Sequence, residues 1–182
     1  MIEVHTLSRL SAAGCRSLKY EPETAVDVFG AGEEVVVRKT YQNRGRRLWW
    51  SFARRSRAQR EHDHLVAIAA AGVPCLVPLG WSEWRHAGFV AYSTLWTRFV
   101  PDARPLKDVL KSLDPARDAE VRRRLAKAMG RLVALLHRRG ILWFTPMPRN
   151  VMVLGDPRDA RLLVADTPAS VEVGRSVHGG AL

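Results

Sequence analysis

The apolar positions of this chain fall in short β-branched runs through the first hundred residues and at helical spacing afterwards. Residues 34–41 hold Val35-Val36-Val37 followed by Arg38-Lys39-Thr40-Tyr41, and Val26 to Phe29 is a second such run. Both predict strands, separated by a turn at Gly30-Ala31-Gly32. Leu76 to Trp81 and Phe89 to Tyr92, the latter continuing through Ser93 to Phe99, predict further strands. One helix interrupts them over Arg57 to Ala71. His64, Leu65, Ile68 and Ala69 or Ala71 mark its buried face, and Gly72 with Pro74 stops it.

After the linker-like Val100 to Pro105 the period changes. Leu106 to Leu113 predicts a short helix, and Asp114-Pro115 offers an N-cap with proline at the first helical position of a longer one. That longer helix, reaching Arg139, gathers Val121, Leu125, Met129, Leu132, Val133 and Leu136 on one face. Arg122, Arg123, Lys127 and Arg131 lie on the other, and Gly140 ends it. A short apolar run, Leu162 to Ala165, leads into Asp166. The expected class is α+β with two lobes: a strand-rich one over residues 1–100 and a shortened helical one over 101–182, with a loose tail from Val173.

The composition is globular: 47% of the 182 residues are apolar. No segment approaches the roughly 20 apolar residues of a membrane span, and Glu3, His5 and Arg9 predict no signal peptide at the N-terminus. Cytoplasmic residence is the expectation, with Cys15 and Cys75 as isolated thiols. His62 and His64, two apart on a helix, face different directions and make a poor metal pair. The net charge of +11 changes the picture more. Between Arg38 and Arg60 there are nine Lys or Arg residues and no carboxylate. Such a block fits an anionic partner, whether nucleic acid, membrane surface or phosphorylated substrate, or is a solvated face. Inside it, Leu48-Trp49-Trp50-Ser51-Phe52 suits a membrane–water interface, stacking on single strands, or core packing.

The candidate chemistry lies between His137 and Asp166. A helix end at His137 leads to Trp143-Phe144-Thr145-Pro146-Met147-Pro148-Arg149-Asn150, then to Val151 to Leu154 and finally to Asp166. This order resembles the catalytic centre of protein-kinase-like phosphotransferases, where a loop H-x-D-x-x-x-x-N precedes a metal-binding Asp. Lys39 closes a strand, and Arg57-Ala58-Gln59-Arg60-Glu61 opens a helix that runs to Gly72-Val73-Pro74. That arrangement looks like the bacterial lipopolysaccharide kinases, the Kdo and heptose kinase group, over about residues 26 to 166. The resemblance implies a protein-kinase-like fold. It also implies that Lys39 holds the nucleotide phosphates, that Glu61 pairs with Lys39, and that Asn150 and Asp166 hold Mg²⁺.

Taken singly, each residue has a plainer role. Lys39 could be an edge-strand solubility charge, Glu61 a surface partner of Arg57 or Arg60, Asn150 a turn residue and Asp166 a strand-end cap. The sequence also departs from the family pattern. Thr145 stands where the catalytic Asp belongs, Trp143 stands at the histidine position, and no G-x-G-x-x-G loop precedes Lys39. Asp156 and Asp159 lie beyond the following strand and do not replace the base. Sixteen residues after Asp166 leave room for only a short second lobe. The resemblance therefore implies ATP- and Mg²⁺-dependent phosphotransfer to a sugar hydroxyl of a lipopolysaccharide core, slowed or lost at Thr145, with peripheral contact to the inner membrane. The alternative is a non-catalytic basic module for anionic membrane or nucleic acid.

Overall fold

The structure, a computed structural model, describes residues 15–30, 35–144, 146–167 and the backbone of 171–173. The described residues group into two compact units. The first takes those up to Asp63 together with Val77–Phe99, and the second takes His64–Leu76 together with those from Val100 onward. The class is α+β, with antiparallel strands throughout the named sheets.

In the first unit, five strands form one sheet: β1 (Cys15–Glu21), β2 (Thr24–Phe29), β3 (Val36–Gln42), β4 (Pro78–His86) and β5 (Phe89–Arg98), in the order β1-β2-β3-β5-β4. Strand side chains alternate between faces, so β3 sends Val36 and Arg38 one way and Lys39 and Tyr41 the other. On the first face Phe29, Val36 and Trp96 form a small core with Leu79 against it. The Arg38 guanidinium lies 4.4 Å from the Phe29 ring centre and 2.8 Å from the Asp27 carboxylate. Its stem and charge thus close the core together. A four-residue helix, α1 (Arg46–Trp49), follows β3, and α2 (Arg57–Ala70) follows in turn.

Two features of this unit bear on the sequence expectations. Strand β1 is an edge strand whose described side chains are all exposed, so it carries no burial period to read. Trp49 and Phe52 are not core residues, being 70% and 56% exposed.

The second unit has a larger core. Helix α3 (Leu106–Ser112) contributes Leu106 and Val109, and α4 (Ala119–Arg138) contributes Leu125, Leu132 and Leu136. Ile141 and Trp143 of β7 (Ile141–Trp143), Val151 and Val153 of β8 (Val151–Leu154) and Val164 of β9 (Leu162–Val164) pack with them. Strands β6 (Ala103–Pro105), β8 and β9 make a three-stranded sheet, and β7 pairs with β10 (Val171–Val173). Helix α4 starts at Ala119, four residues later than the Asp114-Pro115 signal suggests. Asp114 does accept backbone N–H groups, from Ala116 at 2.9 Å and Arg117 at 2.8 Å, but it caps a turn ahead of the helix. The Arg117 and Ala116 amides hold its carboxyl below the usual range.

The end of α2 is set by Gly72. Val73 N–H reaches Ile68 C=O at 3.1 Å and Gly72 N–H reaches Ala69 C=O at 2.9 Å, the paired bonds of a Schellman cap. Gly72 sits at φ +70°, with open space where a Cβ would be. Gly72→Ala therefore meets backbone strain alone, and is expected to lower stability by about 1 kcal/mol in denaturant unfolding. An unchanged midpoint would contradict this account of the cap. Cys75 sits in the same unit with its thiol 3.6 Å from Leu65 C=O, and burial pushes its pKa up to about 11. At neutral pH an alkylating reagent is expected to label exposed Cys15 quickly and half-buried Cys75 much more slowly. Equal labelling rates in the folded protein would refute that.

Candidate active site

Lys39 is not an edge-strand charge, because β3 lies between β2 and β5. Its ammonium is 3.0 Å from Glu61 Oε1 and 3.3 Å from Oε2, a two-pronged ion pair. Glu61 is only 4% exposed, which removes its reading as a surface partner of Arg57 or Arg60. Burying this carboxylate is unfavourable unless its oxygens are satisfied, and a third residue completes the set. Tyr41 O–H donates to Glu61 Oε2. Strand geometry puts Tyr41 on the face of Lys39, two residues on. The Arg57 guanidinium lies 4.3 Å from the Tyr41 ring centre, and Lys39 Nζ lies 5.1 Å from it. Arg57 is one helical turn before Glu61, so one face of α2 supplies both an anion and a ring-stacked cation.

The sequence reading did not single out Tyr41 or Arg57 in these roles. The available signals were the i, i+2 spacing from Lys39 and the i, i−4 spacing from Glu61.

In the second unit, Asn150 ends a 3-10 turn over Pro148–Asn150 and is 4% exposed. Pro148 fixes the first residue of that turn, and Asn150 N–H donates to Met147 C=O at 2.9 Å. The Asn150 carbonyl accepts from Ala165 N–H at 2.9 Å and from Asp166 N–H at 3.2 Å. These bonds continue the β8–β9 pairing, in which Val151 faces Val164, and bring Asn150 and Asp166 together. Their side chains supply amide and carboxylate oxygens, hard donors of the kind Mg²⁺ takes. A single carboxylate is too few for an all-protein cage, and among the described residues no group of three His, Cys, Asp or Glu side chains could hold a metal. The donor set fits an ion that takes its remaining ligands from water or phosphate.

Thr145 lies outside the described residues. Trp143 is 3% exposed and packs in the core of the second unit, so it anchors β7. Asp156 is engaged as the cap of a 3-10 turn, accepting from Arg158 N–H at 2.8 Å. His62 contacts Asp63 at 3.3 Å.

A family model described as the lipopolysaccharide kinase (Kdo/WaaP) family matches residues 6–166. Among solved structures, the fold is similar to WaaP in its complex with acyl carrier protein, with a TM-score of 0.58 at 15% identity over 94% of this chain and 67% of the other. It is also similar to WbdD in a crystal structure at 2.2 Å, with a TM-score of 0.56 at 18% identity. That match covers 88% of this chain but only 33% of the WbdD chain. No curated protein matches the sequence.

The Tyr41–Glu61 contact gives a stability prediction. Tyr41→Phe removes one donor from a buried carboxylate and is expected to lower unfolding free energy by roughly 1.5–3 kcal/mol. Glu61→Gln, which leaves Lys39 without its anion, is expected to lower it further. Denaturant unfolding of both variants tests the order. A Tyr41→Phe protein as stable as the parent would show that Glu61 does not depend on the phenol.

Proposed function

The chain belongs to the lipopolysaccharide kinase (Kdo/WaaP) family, and from that membership we propose that it binds ATP with Mg²⁺ and transfers phosphate slowly to a sugar hydroxyl of a lipopolysaccharide core. The observation that carries the reading is the Lys39–Glu61 pair. A buried ion pair is a weak source of stability, so a pair held by a third residue suits a positioning role. In the proposal Glu61 fixes Lys39, and Lys39 neutralises phosphate oxygens of the nucleotide. Asn150 and Asp166 hold Mg²⁺, which when bound offsets the charge of the phosphates. Cytoplasmic residence is part of the proposal, because ATP is the donor.

In the reaction a sugar hydroxyl oxygen forms a bond to the γ-phosphorus. The bond from that phosphorus to the bridging oxygen breaks, and ADP leaves with the electron pair. The hydroxyl proton must go elsewhere. A carboxylate at position 145 would take it; the Thr145 hydroxyl is not basic at neutral pH, so the proton passes to water. The alternative, a non-catalytic basic module, is supported by the arginine-rich surface of the first unit, and turnover separates the two.

The test is transfer of label from γ-labelled ATP to a lipopolysaccharide core oligosaccharide. The parent protein is expected to give slow labelling that Lys39→Ala abolishes. Thr145→Asp is expected to raise the rate on the order of 10²-fold, within the range that general-base help supplies. Labelling unaffected by Lys39→Ala, or none in either the parent or Thr145→Asp, would overturn the proposal.

A further inference from the structure

Between β3 and α2 the chain builds a surface to which the proposed phosphotransfer assigns no role beyond that of Arg57 at the Tyr41 ring. The segment from Asn43 to Arg57 is pinned to the β4–β5 hairpin. Asn43 N–H donates to Ala91 C=O at 3.0 Å and its amide to Val90 C=O at 2.9 Å, while Val90 N–H donates to Ser51 Oγ at 2.9 Å. Arg85 bridges the two elements, reaching Arg54 C=O at 2.7 Å and Gly88 C=O at 3.0 Å. Gly88 sits at φ +85°, and a Cβ there would come within 2.7 Å of the Phe52 ring, so the hairpin turn leaves the space that Phe52 fills. The segment is thus a built feature of the unit.

On this base stand three aromatic side chains within four residues. Trp49 and Phe52 rest on Phe89, with ring centres 5.2 Å and 5.0 Å away. Even so, Trp49 is 70%, Trp50 64% and Phe52 56% exposed. With Arg54 they line a cavity of about 350 Å³. A concentration of exposed aromatic surface of this kind is unfavourable in water and marks a contact site.

Trp50 also lines the neighbouring cleft, of about 650 Å³, beside Arg47, Arg54, Arg55, Arg57 and Arg60. Among the described residues no carboxylate lines this cleft. Arg47 pairs with Glu23, and Arg55 with Asp63 at 3.3 Å. Arg54, Arg57 and Arg60 make no ion pair among the described residues, and Arg60 Nε is buried without an acceptor. Burial, and then the charges of Arg57 and Arg54, hold the Arg60 pKa below its usual value. Converged guanidinium groups of this kind are stabilised by an anion, and their planar forks match phosphate oxygens.

We propose that this arginine-lined cleft and its aromatic rim dock the protein on an anionic membrane, the arginines taking lipid phosphates and Trp49, Trp50 and Phe52 entering the interfacial layer. Trp and Arg side by side suit the headgroup region, where one part of each side chain is apolar and another polar. Single-stranded nucleic acid fits less well, because stacking needs ring faces spaced along a charged groove, whereas of these three rings only Trp50 lines the arginine cleft. The docking needs neither ATP nor turnover, so its failure and that of the kinase reading are separate events.

The test is sedimentation of the full chain with vesicles of phosphatidylglycerol and phosphatidylcholine, and with phosphatidylcholine alone. Binding to the anionic vesicles is expected to be at least about tenfold tighter and to weaken with salt. Brominated lipid in those vesicles is expected to quench tryptophan fluorescence, a readout that needs no variant. Arg54→Ala with Arg60→Ala is expected to weaken anionic-vesicle binding about tenfold or more. Trp49→Ala with Trp50→Ala is expected to weaken it as well, while inorganic phosphate at equal concentration fails to displace the parent from the vesicles. Thermal unfolding confirms that each variant is folded. Equal binding to both vesicle types, absence of bromine quenching, displacement by inorganic phosphate, or tighter binding to single-stranded oligothymidylate than to vesicles would each overturn the proposal.

Discussion

The ion pair between Lys39 and Glu61 is the constraint around which the first unit is arranged. A carboxylate 4% exposed must be placed opposite a cation and given a further donor, or its desolvation is not offset. Strand β3 meets both demands by alternation, since Lys39 and Tyr41 project from one face of a central strand. Helix α2 presents Glu61 to that face and sets Arg57 over the tyrosine ring. The opposite face of β3 is occupied differently: Arg38 stacks on Phe29 and pairs with Asp27, closing a small apolar core. One strand therefore carries two buried or half-buried cations, each paired with its own acid and set against its own ring.

The second unit holds its candidate residues by backbone rather than by charge. Asn150 and Asp166 are brought together because the β8–β9 ladder continues past Val151 and Val164 into the Asn150 carbonyl. That carbonyl accepts two successive amides, which fixes the start of the segment following β9. The surrounding core, from α4 through β7 to β8, is dense and apolar, and Trp143 belongs to it.

Much of this was readable from residue types in order. Lys39 and Glu61 have plainer readings singly, and it is their order with Gly72-Val73-Pro74 and the family resemblance that points to the pair. What residue types do not show has physical reasons. Tyr41 looks like an ordinary strand residue until the face it shares with Lys39 is considered. Strand β1 has described side chains that are all exposed, and burial is what makes a strand visible in sequence. Helix α1 is four residues long, too short for a helical period. Asp114-Pro115 has the chemistry of a helix start and caps a turn, because side-chain acceptance of backbone amides is common to both. The exposure of Trp49 and Phe52 could not be read from composition, since an aromatic cluster serves a core and an interface equally well.

Equilibrium binding of the Mg²⁺–ATP complex to the parent and to Lys39→Ala tests the central claim most directly, because it reads the phosphate-holding role without requiring turnover. Titration calorimetry is expected to show saturable, Mg²⁺-dependent binding by the parent and a loss of about tenfold or more in affinity when the ammonium is removed, in line with charge-assisted contacts to phosphate. Absence of binding by the folded parent, or equal affinity in the two proteins, would contradict the account.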